Sequence, residues 1–208
     1  MTERCLWCQG DPLYEHYHDT EWGVPCYDDH KLFESILLEG AQAGLSWITV
    51  LRKREGAQAG LSWITVLRKR EGYRLAFDGF DPHQIARYDE RRIEKLRLNP
   101  NIIRNRLKIK STVTNAQAFL NLVERQSSFS EFVWQFVDGS PRDNQFLTAD
   151  QVPASTPASD AMSKALKKAG FSFVGSTICY AFMQATGMVN DHLLSCHRHH
   201  QVKLMKNQ

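Results

Sequence analysis

The sequence lacks any long apolar run. Although 42% of its 208 residues are hydrophobic, no stretch approaches the roughly 20 consecutive apolar residues that a membrane-spanning helix needs. The first residues, from Met1 to Cys5, also lack the hydrophobic segment of a signal peptide. We therefore expect a cytoplasmic protein that does not act on membranes.

Cysteine is scarce, and its number is odd. Five cysteines in 208 residues do not suggest a disulfide framework of the kind that small secreted proteins use. In the cytosol these thiols stay reduced, and they are then free to bind a metal ion.

Strand-like alternation of polar and apolar residues is also rare. Apolar residues instead recur with helical spacing over 85–98, 102–122 and 129–137. A further helix is predicted over 31–39, with Leu32, Phe33, Ile36 and Leu37 on its apolar face. The sequence therefore predicts a mainly helical fold.

The net charge of +3 hides an uneven distribution. Segment 11–40 has eight acidic residues and one lysine, whereas segment 91–110 has eight basic residues and one glutamate. From residue 161 onward, six basic residues face one aspartate. Two basic segments could bind a polyanion such as DNA, with the acidic segment kept for a cation. Solvated helix faces explain the same pattern equally well.

Four potential metal ligands lie near the two ends of the chain. Cys5 and His18 come early, and His192 and Cys196, four residues apart, would share one face of a helical turn. Two thiolates and two imidazoles suit a closed, structural Zn²⁺ site. Spacing alone leaves alternatives open: Cys5 and Cys8 form a CxxC pair beside three histidines in the tail, and all of these side chains could instead be unliganded.

A tandem duplication interrupts the middle of the chain. Residues 39–54 recur identically as 55–70. Two identical copies are too few for a solenoid, so we interpret them as a duplication event. Glu39 continues the helix predicted over 31–39, and we therefore prefer it to Glu55 as the native residue.

At the C-terminal end of the duplication, the sequence does not show which copy holds the native position. Residues 64–77 run unbroken from the second copy into the rest of the protein. Trp63 of the second copy therefore competes with Trp47 of the first for the native position. Extra residues can loop out at a modest entropic cost, so function can survive the duplication.

A short segment bounded by glycines separates two predicted helices near the C-terminus. The first helix ends near Lys168, and the second begins just after Gly175, with Gly170 opening the turn. Glycines in such a turn let the backbone approach a phosphate, and the second helix presents its N-terminal amides to the anion. The pattern is that of a DNA-binding helix-hairpin-helix, although a plain αα-hairpin with a glycine cap fits as well.

Aromatic and acidic residues cluster in the N-terminal segment. Trp7, Tyr14, Tyr17 and Trp22 are interleaved with carboxylates, and Trp47 or Trp63 could join them from the duplication. Aromatic faces beside a carboxylate suit a flat cation. A core of aromatics is the alternative, and we favour it for Trp22.

Many long motifs together resemble the type I 3-methyladenine DNA glycosylases. The resemblance covers nearly the whole chain apart from one copy of the duplication and the last dozen residues. The motifs are Cys5-x-Trp7, Asp11-Pro-Leu-Tyr14, Tyr17-His18-Asp19, Glu21-Trp-Gly-Val-Pro25, Leu38-Glu39-Gly40, Gln42 to Leu51, Ile102 to Asn105, Ser155-Thr-Pro157 and Gly187 to His192.

The resemblance implies an all-α helix-hairpin-helix DNA glycosylase whose two termini are tied by one structural Zn²⁺. It implies a single domain over 1–208 that carries the duplication. Its metal ligands are Cys5, His18, His192 and Cys196, and Cys8 is not a ligand. Asp191 then braces the metal region rather than acting as a base.

The resemblance also implies the activity: excision of 3-methyladenine from alkylated double-stranded DNA by a monomeric enzyme. Glu39 contacts the base, and Tyr17 and Trp47 or its duplicate stack around it, with Trp7 and Tyr14 completing the wall. Lys168, Gly170 and Gly175 bind the DNA.

No lysine follows Gly175 before Lys203, so a Schiff-base lyase is not expected and the enzyme is monofunctional. Two alternatives remain. The chain could be a zinc-clamped DNA-binding protein that the duplication has inactivated, or a glycosylase for other damaged bases.

Overall fold

The computed structural model describes residues 3–42 and 61–205. Helices dominate these two segments. Their bounds are α1 Pro12–Thr20, α2 Asp29–Gln42, α3 Leu61–Ala76, α4 Pro82–Ile85, α5 Glu90–Arg97, α6 Arg106–Gln126, α7 Phe129–Trp134, α8 Pro157–Lys168, α9 Ser176–Ala185 and α10 His197–Met205. Short 3₁₀ turns occupy Leu6–Cys8, Asp78–Phe80, Gln135–Val137 and Ala149–Gln151.

Two strands of two residues each complete the secondary structure of the described segments. β1, Arg142–Asp143, pairs in parallel with β2, Val189–Asn190. The mainly helical prediction is therefore confirmed. None of the helices in the described segments has the length and apolar character that a membrane span requires.

The prediction of one continuous helix over 85–98 is wrong. The chain instead forms α4, which ends at Ile85, and α5, which begins at Glu90. Asp89 stops a continuous helix because it adopts an extended backbone, and its carboxylate accepts a hydrogen bond from the Arg92 amide as an N-cap. The helix predicted over 102–122 begins later, at Arg106, because Asn105 caps it in the same way.

Helix α2 lies at the centre of the main core. Its predicted apolar face, including Leu32, Phe33 and Ile36, is fully buried. The Phe33 ring packs on Phe119 of α6 with 4.6 Å between centroids. On another side, α2 packs against α9, whose Phe182 is also fully buried. This packing fixes the C-terminal half of α2, which carries Glu39.

A second, smaller apolar cluster joins α1 to α3. It contains Cys8, Tyr14, Tyr17, Ile64 and Leu67 as buried members. Trp7, Trp22 and Trp63 pack against this cluster and are partly buried. Aromatic rings from the N-terminal segment thus meet the helix of the second copy.

Helix α3 is held in place by ion pairs with the N-terminal region. Arg70 makes a bidentate pair with Glu21, with N–O distances of 2.6 and 2.9 Å, and Arg68 pairs with Asp11. Both arginines belong to the second copy of the duplication. These contacts, together with burial of Ile64 and Leu67, place the second copy against α1.

The turn between α8 and α9 is built around one glycine. Gly170 has a φ of +99°, its amide donates to the Lys167 carbonyl, and the Phe171 amide donates to the Leu166 carbonyl. This is a Schellman ending of α8. Asn115 of α6 fixes the turn from the other side, because its amide group exchanges two hydrogen bonds of 2.7 and 3.1 Å with the Ser172 backbone.

Candidate functional site

A cavity of about 370 Å³ lies where the N-terminal segment, α2, α3 and α9 meet. This volume is in the range of small-molecule sites. Its lining includes the predicted base-contacting residues Trp7, Tyr14, Tyr17 and Glu39, and it also includes Trp22 and Trp63. The structure therefore brings the aromatic residues and the preferred glutamate into one pocket.

The aromatic walls are packed against one another at steep angles. Trp7 meets Tyr14 edge to face, with 4.8 Å between ring centroids, and meets Trp22 at 5.0 Å. Tyr17 lies 5.9 Å from Trp63. Tyr14 and Tyr17 are three residues apart in helix α1, so they lie on the same face. Asp11 caps the first turn of this helix. The pocket thus offers several ring faces to a flat ligand.

Glu39 is the buried carboxyl group of the pocket. The residue is only 3% exposed, and its Oε2 atom has no hydrogen-bond partner within residues 3–42 and 61–205. Burial raises the pKa of Glu39 to about 8, because the charged form has lost its water. An unpaired buried carboxyl that lines a cavity is typical of a ligand-binding group.

Sequence reasoning did not place Asp191 or Gln184 in the pocket, yet both line it. The buried Asp191 carboxylate accepts hydrogen bonds from the Tyr180 hydroxyl at 2.6 Å and from the side-chain amides of Gln184 and Asn144 at 2.7 Å. Asp191 therefore braces three side chains beside the cavity. Gln184 lies one turn after Ala181 on α9, and both line the pocket.

Trp47 and Glu55 lie outside the described residues. Within the described segments, Glu39 comes from the first copy of the duplication and Trp63 from the second. The same cavity therefore combines residues from both copies.

A larger cleft of about 460 Å³ adjoins the pocket across Tyr17 and Trp63. Both arginines that line this cleft are paired, Arg70 with Glu21 and Arg74 with Glu34. The unpaired carboxyl of Glu39 belongs to the smaller cavity. The smaller cavity is therefore the candidate ligand site.

The four candidate metal ligands converge at one buried point. The ligand atoms of Cys5, His18, His192 and Cys196 all lie within 4.8 Å of one another. His18 Nε2 is 3.2 Å from His192 Nδ1 and 3.5 Å from Cys196 Sγ. These separations are those of donor atoms that surround one ion, so the group could hold a metal.

Hydrogen bonds around the cluster orient both imidazoles. His18 Nδ1 lies 2.8 Å from an Asp19 carboxylate oxygen, and His192 Nε2 lies 3.1 Å from the Trp22 carbonyl oxygen. An N–H donated to each oxygen leaves the other ring nitrogen, the one inside the cluster, as a lone-pair donor. Outer hydrogen bonds of this kind accompany histidine ligands in metalloproteins.

The two thiols of the cluster interact, and their hydrogen bond, together with burial, raises the pKa of Cys5. The pKa of the Cys196 thiol is lowered, first by a hydrogen bond with Cys5 and then, against the effect of burial, by His18 and His192. A thiolate is the form that binds metal. Cys8 is buried nearby, but it lies outside the cluster, and its thiol donates to the Cys5 carbonyl at 3.1 Å.

Comparison with known proteins supplies the family. The family described as methyladenine glycosylase matches residues 7–57 and 55–199 of the chain. This chain belongs to the methyladenine glycosylase family. The first match contains the whole first copy of the duplication, and the second match contains the whole second copy.

Individual relatives match over nearly their full lengths. DNA-3-methyladenine glycosylase 1 of Escherichia coli (strain K12) is 51% identical over 194 residues, which is 93% of this chain and 95% of the relative. A crystal structure of 3-methyladenine DNA glycosylase I has a TM-score of 0.85 at 53% identity, covering 94% of this chain and 98% of that one.

A third relative is the 3-methyladenine DNA glycosylase I from Staphylococcus aureus, whose structure was determined to show how it recognises 3-methyladenine. Its TM-score is 0.83 at 34% identity, covering 93% of this chain and 95% of that one. This agreement across three proteins confirms the predicted resemblance and the glycosylase fold.

Proposed function

We propose that this methyladenine glycosylase excises 3-methyladenine from alkylated double-stranded DNA. It acts as a monofunctional hydrolase, and as a monomer with one domain over 1–208. The relatives named above are 3-methyladenine DNA glycosylases, and the fold of the described segments agrees with theirs. The observation that carries the proposal for this chain is the buried carboxyl of Glu39, which lines an aromatic pocket and whose Oε2 has no hydrogen-bond partner in the described segments.

Because of the chemistry of the substrate, this pocket is sufficient for catalysis. Methylation at N3 gives the adenine ring a positive charge and weakens its glycosidic bond. The flipped base leaves as neutral 3-methyladenine, water adds at C1′, and the proton of that water goes to solvent. The protein must therefore hold the extruded base and stabilise the positive charge that develops on the sugar.

Glu39 recognises the positive charge and the amino edge of the base. In the free pocket its raised pKa keeps much of the carboxyl neutral at pH 7. A cationic base favours ionisation of the Glu39 carboxyl, and the two form an ion pair in a desolvated cavity. A normal adenine is neutral, so it gains less from the pocket and remains a poor leaving group.

The rings supply the other part of binding. Trp7, Tyr14 and Tyr17 stack around the base with one tryptophan from the duplication. We assign this last position to Trp63 rather than Trp47, because Trp63 lines the cavity and lies 5.9 Å from Tyr17. Stacking offsets the few kcal/mol that base flipping costs.

Hydrolysis, rather than a lyase reaction, fits the lining of the cavity. Among the described residues around it there is no lysine to form a Schiff base. Asp191 is engaged by three donors. The lack of a lysine there supports a monofunctional enzyme, and the hydrogen bonds of Asp191 support a bracing role rather than that of a base.

DNA binding is proposed for the helix-hairpin-helix formed by α8, the turn and α9. Lys168 is exposed at the end of α8. Gly170 turns the chain, and Gly175 precedes α9 without a side-chain cap, so the first amides of that helix are open to a phosphate. A Cβ added at Gly175 would meet nothing within 4 Å, and this leaves space for the DNA backbone.

We also propose that the Cys5, His18, His192 and Cys196 cluster holds one Zn²⁺. A set of two thiolates and two imidazoles is the closed set that structural zinc prefers. When bound, the ion supplies no reactive position and links the two ends of the chain. The Asp19 and Trp22 hydrogen bonds keep both imidazoles ready for it.

The function is tested by incubating the protein with methylated duplex DNA and separating released bases by chromatography. The proposal requires free 3-methyladenine in the supernatant and intact abasic strands. Folded, metal-loaded protein that binds the DNA but releases no base would identify a DNA-binding protein without catalysis. Release of other damaged bases in preference to 3-methyladenine would contradict the substrate assignment.

The duplication provides a matched pair of variants for the stacking position. We expect Trp63→Ala to lower 3-methyladenine release about tenfold or more, because one base–aromatic stack is worth roughly 1–3 kcal/mol. Trp47→Ala, in the same local sequence, leaves release near the wild-type rate. Single-turnover kinetics on methylated duplex DNA measure both. A loss confined to Trp47→Ala reverses the assignment.

A further inference from the structure

The candidate metal cluster and the base pocket share one wall of the structure. Cys5 belongs to both, because its thiol is part of the cluster and the residue lines the cavity. Two other ligands have a direct chain neighbour in the cavity lining. Tyr17 precedes His18, and Asp191 precedes His192. The backbone segments that carry the ligands therefore also form part of the cavity wall.

The side chain of Trp22 connects the two sites. Trp22 is partly buried and lines the cavity. Its ring meets the His192 imidazole edge to face, with 4.6 Å between ring centroids, and meets the Trp7 ring at 5.0 Å. The Trp7 ring in turn lies 5.4 Å from the His18 imidazole. Two tryptophans of the cavity wall therefore pack on the two imidazoles of the cluster.

The backbone of Trp22 makes the same connection. Its amide donates a hydrogen bond to the Tyr17 carbonyl at 3.0 Å, and its carbonyl oxygen lies 3.1 Å from His192 Nε2. Gly23 follows with a φ of +81°, and a Cβ added there would lie 3.0 Å from the same imidazole nitrogen. Glycine permits this close approach. A movement of the His192 ring therefore displaces Trp22, and a movement of Trp22 displaces the ring.

Trp22 differs from a tryptophan that serves only the core. Trp134 is 3% exposed, and its indole N–H donates to the Cys26 carbonyl at 2.8 Å. Trp22 is only partly buried and lines an open cavity. A ligand in the cavity can therefore contact Trp22 directly, whereas Trp134 is closed off inside the protein.

We propose that Trp22 is a positioning residue that couples the metal cluster to the base pocket. A base in the cavity restricts Trp7 and Trp22, and these rings hold the imidazoles of His18 and His192 in the orientation that binds the ion. Ordering of the shared wall at one site lowers the cost of ordering it at the other, so each ligand strengthens binding of the other. The inference rests on the proposed recognition of 3-methyladenine and on the proposed Zn²⁺ site.

The test uses purified, zinc-loaded full chain and free 3-methyladenine as the probe. Transfer of zinc to a coloured chelator is followed over time, with and without base at a concentration well above its dissociation constant. In the wild-type protein we expect the base to slow zinc release about fivefold or more, a factor typical of coupling between two sites. In Trp22→Leu, base above that variant's own dissociation constant slows release by less than about twofold, because the shared wall is interrupted.

Trp63→Leu is the matched control, because Trp63 lines the same cavity and packs on Tyr17 rather than on the cluster. It weakens base binding, yet saturating base still slows zinc release as in the wild-type protein. Release through global unfolding would be slowed by bound base in both leucine variants alike, so the difference between them isolates Trp22. Trp22→Phe keeps a ring against His192 and retains most of the slowing. Equal slowing in the two leucine variants would overturn the inference.

Nuclear magnetic resonance of the wild-type protein gives a second test, which does not depend on whether Trp22→Leu folds. Saturating 3-methyladenine shifts the imidazole signals of His18 and His192, whereas the signals of the exposed His83 stay unchanged. Unchanged His18 and His192 signals in a protein that binds both zinc and base would overturn the coupling.

Two direct measurements separate failure of the coupling from failure of the proposals beneath it. Calorimetric titration that detects no binding of 3-methyladenine to the zinc-loaded protein would reject the base pocket and the coupling together. Elemental analysis that detects no zinc in the purified protein would reject the metal site and the coupling together. Bound zinc, bound base and a zinc release rate that the base leaves unchanged would reject the coupling alone.

Discussion

Glu39→Gln is expected to lower 3-methyladenine release from methylated DNA about a hundredfold or more, the effect of removing one partner from a buried charge pair. Glu55→Gln, the same change in the second copy of the duplication, leaves the rate near that of the wild-type protein. Single-turnover kinetics on duplex DNA measure both variants. This pair is matched in residue type and in the local sequence that follows.

The expected loss follows from the position of Glu39. The carboxyl is buried and lacks a hydrogen-bond partner for Oε2 in the described part of the chain. Gln has the same shape, and it keeps hydrogen-bonding capacity towards the amino edge of a base. It cannot carry the negative charge that pairs with a cationic base. A large loss of base release in Glu39→Gln would therefore show that the charge of Glu39 matters, and not only its shape.

The pH dependence of stability tests the raised pKa of Glu39 without any measurement of activity. The pKa of Glu39 in the folded protein is about 8, above its ordinary value of 4.5. Between these values the folded state holds a proton that the unfolded state releases, so stability is lost as pH rises towards and through 8. Glu39→Gln removes this contribution. Its free energy of unfolding, relative to wild type, should therefore increase from pH 5 to pH 8.

Two results would contradict the assignment of Glu39. One is base release by Glu39→Gln at the wild-type rate, and the other is a loss confined to Glu55→Gln. In the second case the pocket of the active protein would use the other copy.

Loss of the metal should have the largest effect on stability. We expect the wild-type protein to contain one zinc per chain and Cys196→Ser to contain almost none, because three ligands hold the ion much less tightly than four. Binding energy at such a site contributes directly to folding energy. The melting temperature of Cys196→Ser should fall by at least about 10 °C, which corresponds to several kcal/mol for a chain of this size.

Cys8→Ser is the matched control for this experiment. Cys8 is buried near Cys5 but lies outside the cluster, and a serine hydroxyl can still donate to the Cys5 carbonyl. Cys8→Ser should keep one zinc per chain. Elemental analysis of purified protein and thermal melts measure both quantities. Metal lost from Cys8→Ser but retained in Cys196→Ser would instead indicate a site built on the CxxC pair.

Sequence patterns predicted those elements that depend on local chemistry. The apolar face of α2, the glycine ending of α8 and the aromatic residues of α1 follow from spacing and capping rules. The ligand cluster was recognisable as residue types, although the separation between its halves left alternatives until the family resemblance was considered. Two turn features were not anticipated in detail, because Asp89 divides one predicted helix and Asn105 delays the start of another.

The sequence could not choose between the two copies of the duplication. Their local sequences are identical, so propensity and periodicity are identical too. The choice for α3 depends on long-range contacts, such as the Arg70–Glu21 pair and burial of Ile64 and Leu67. Asp191 and Gln184 were missed as lining residues for a similar reason. Their place beside the pocket arises from how α9 and the segment after β2 pack in three dimensions.

The candidate metal cluster brings together residues from distant parts of the chain. Cys5 and His192 are 187 residues apart, so the cluster cannot form before His192 and Cys196 have been synthesised. Cys5 also lines the proposed base pocket, next to Trp7 and Tyr14. Incomplete chains that stop before His192 retain the aromatic residues but lack half of the ligand set. The second half of the candidate ligand set is thus made long after the aromatic residues that line the pocket.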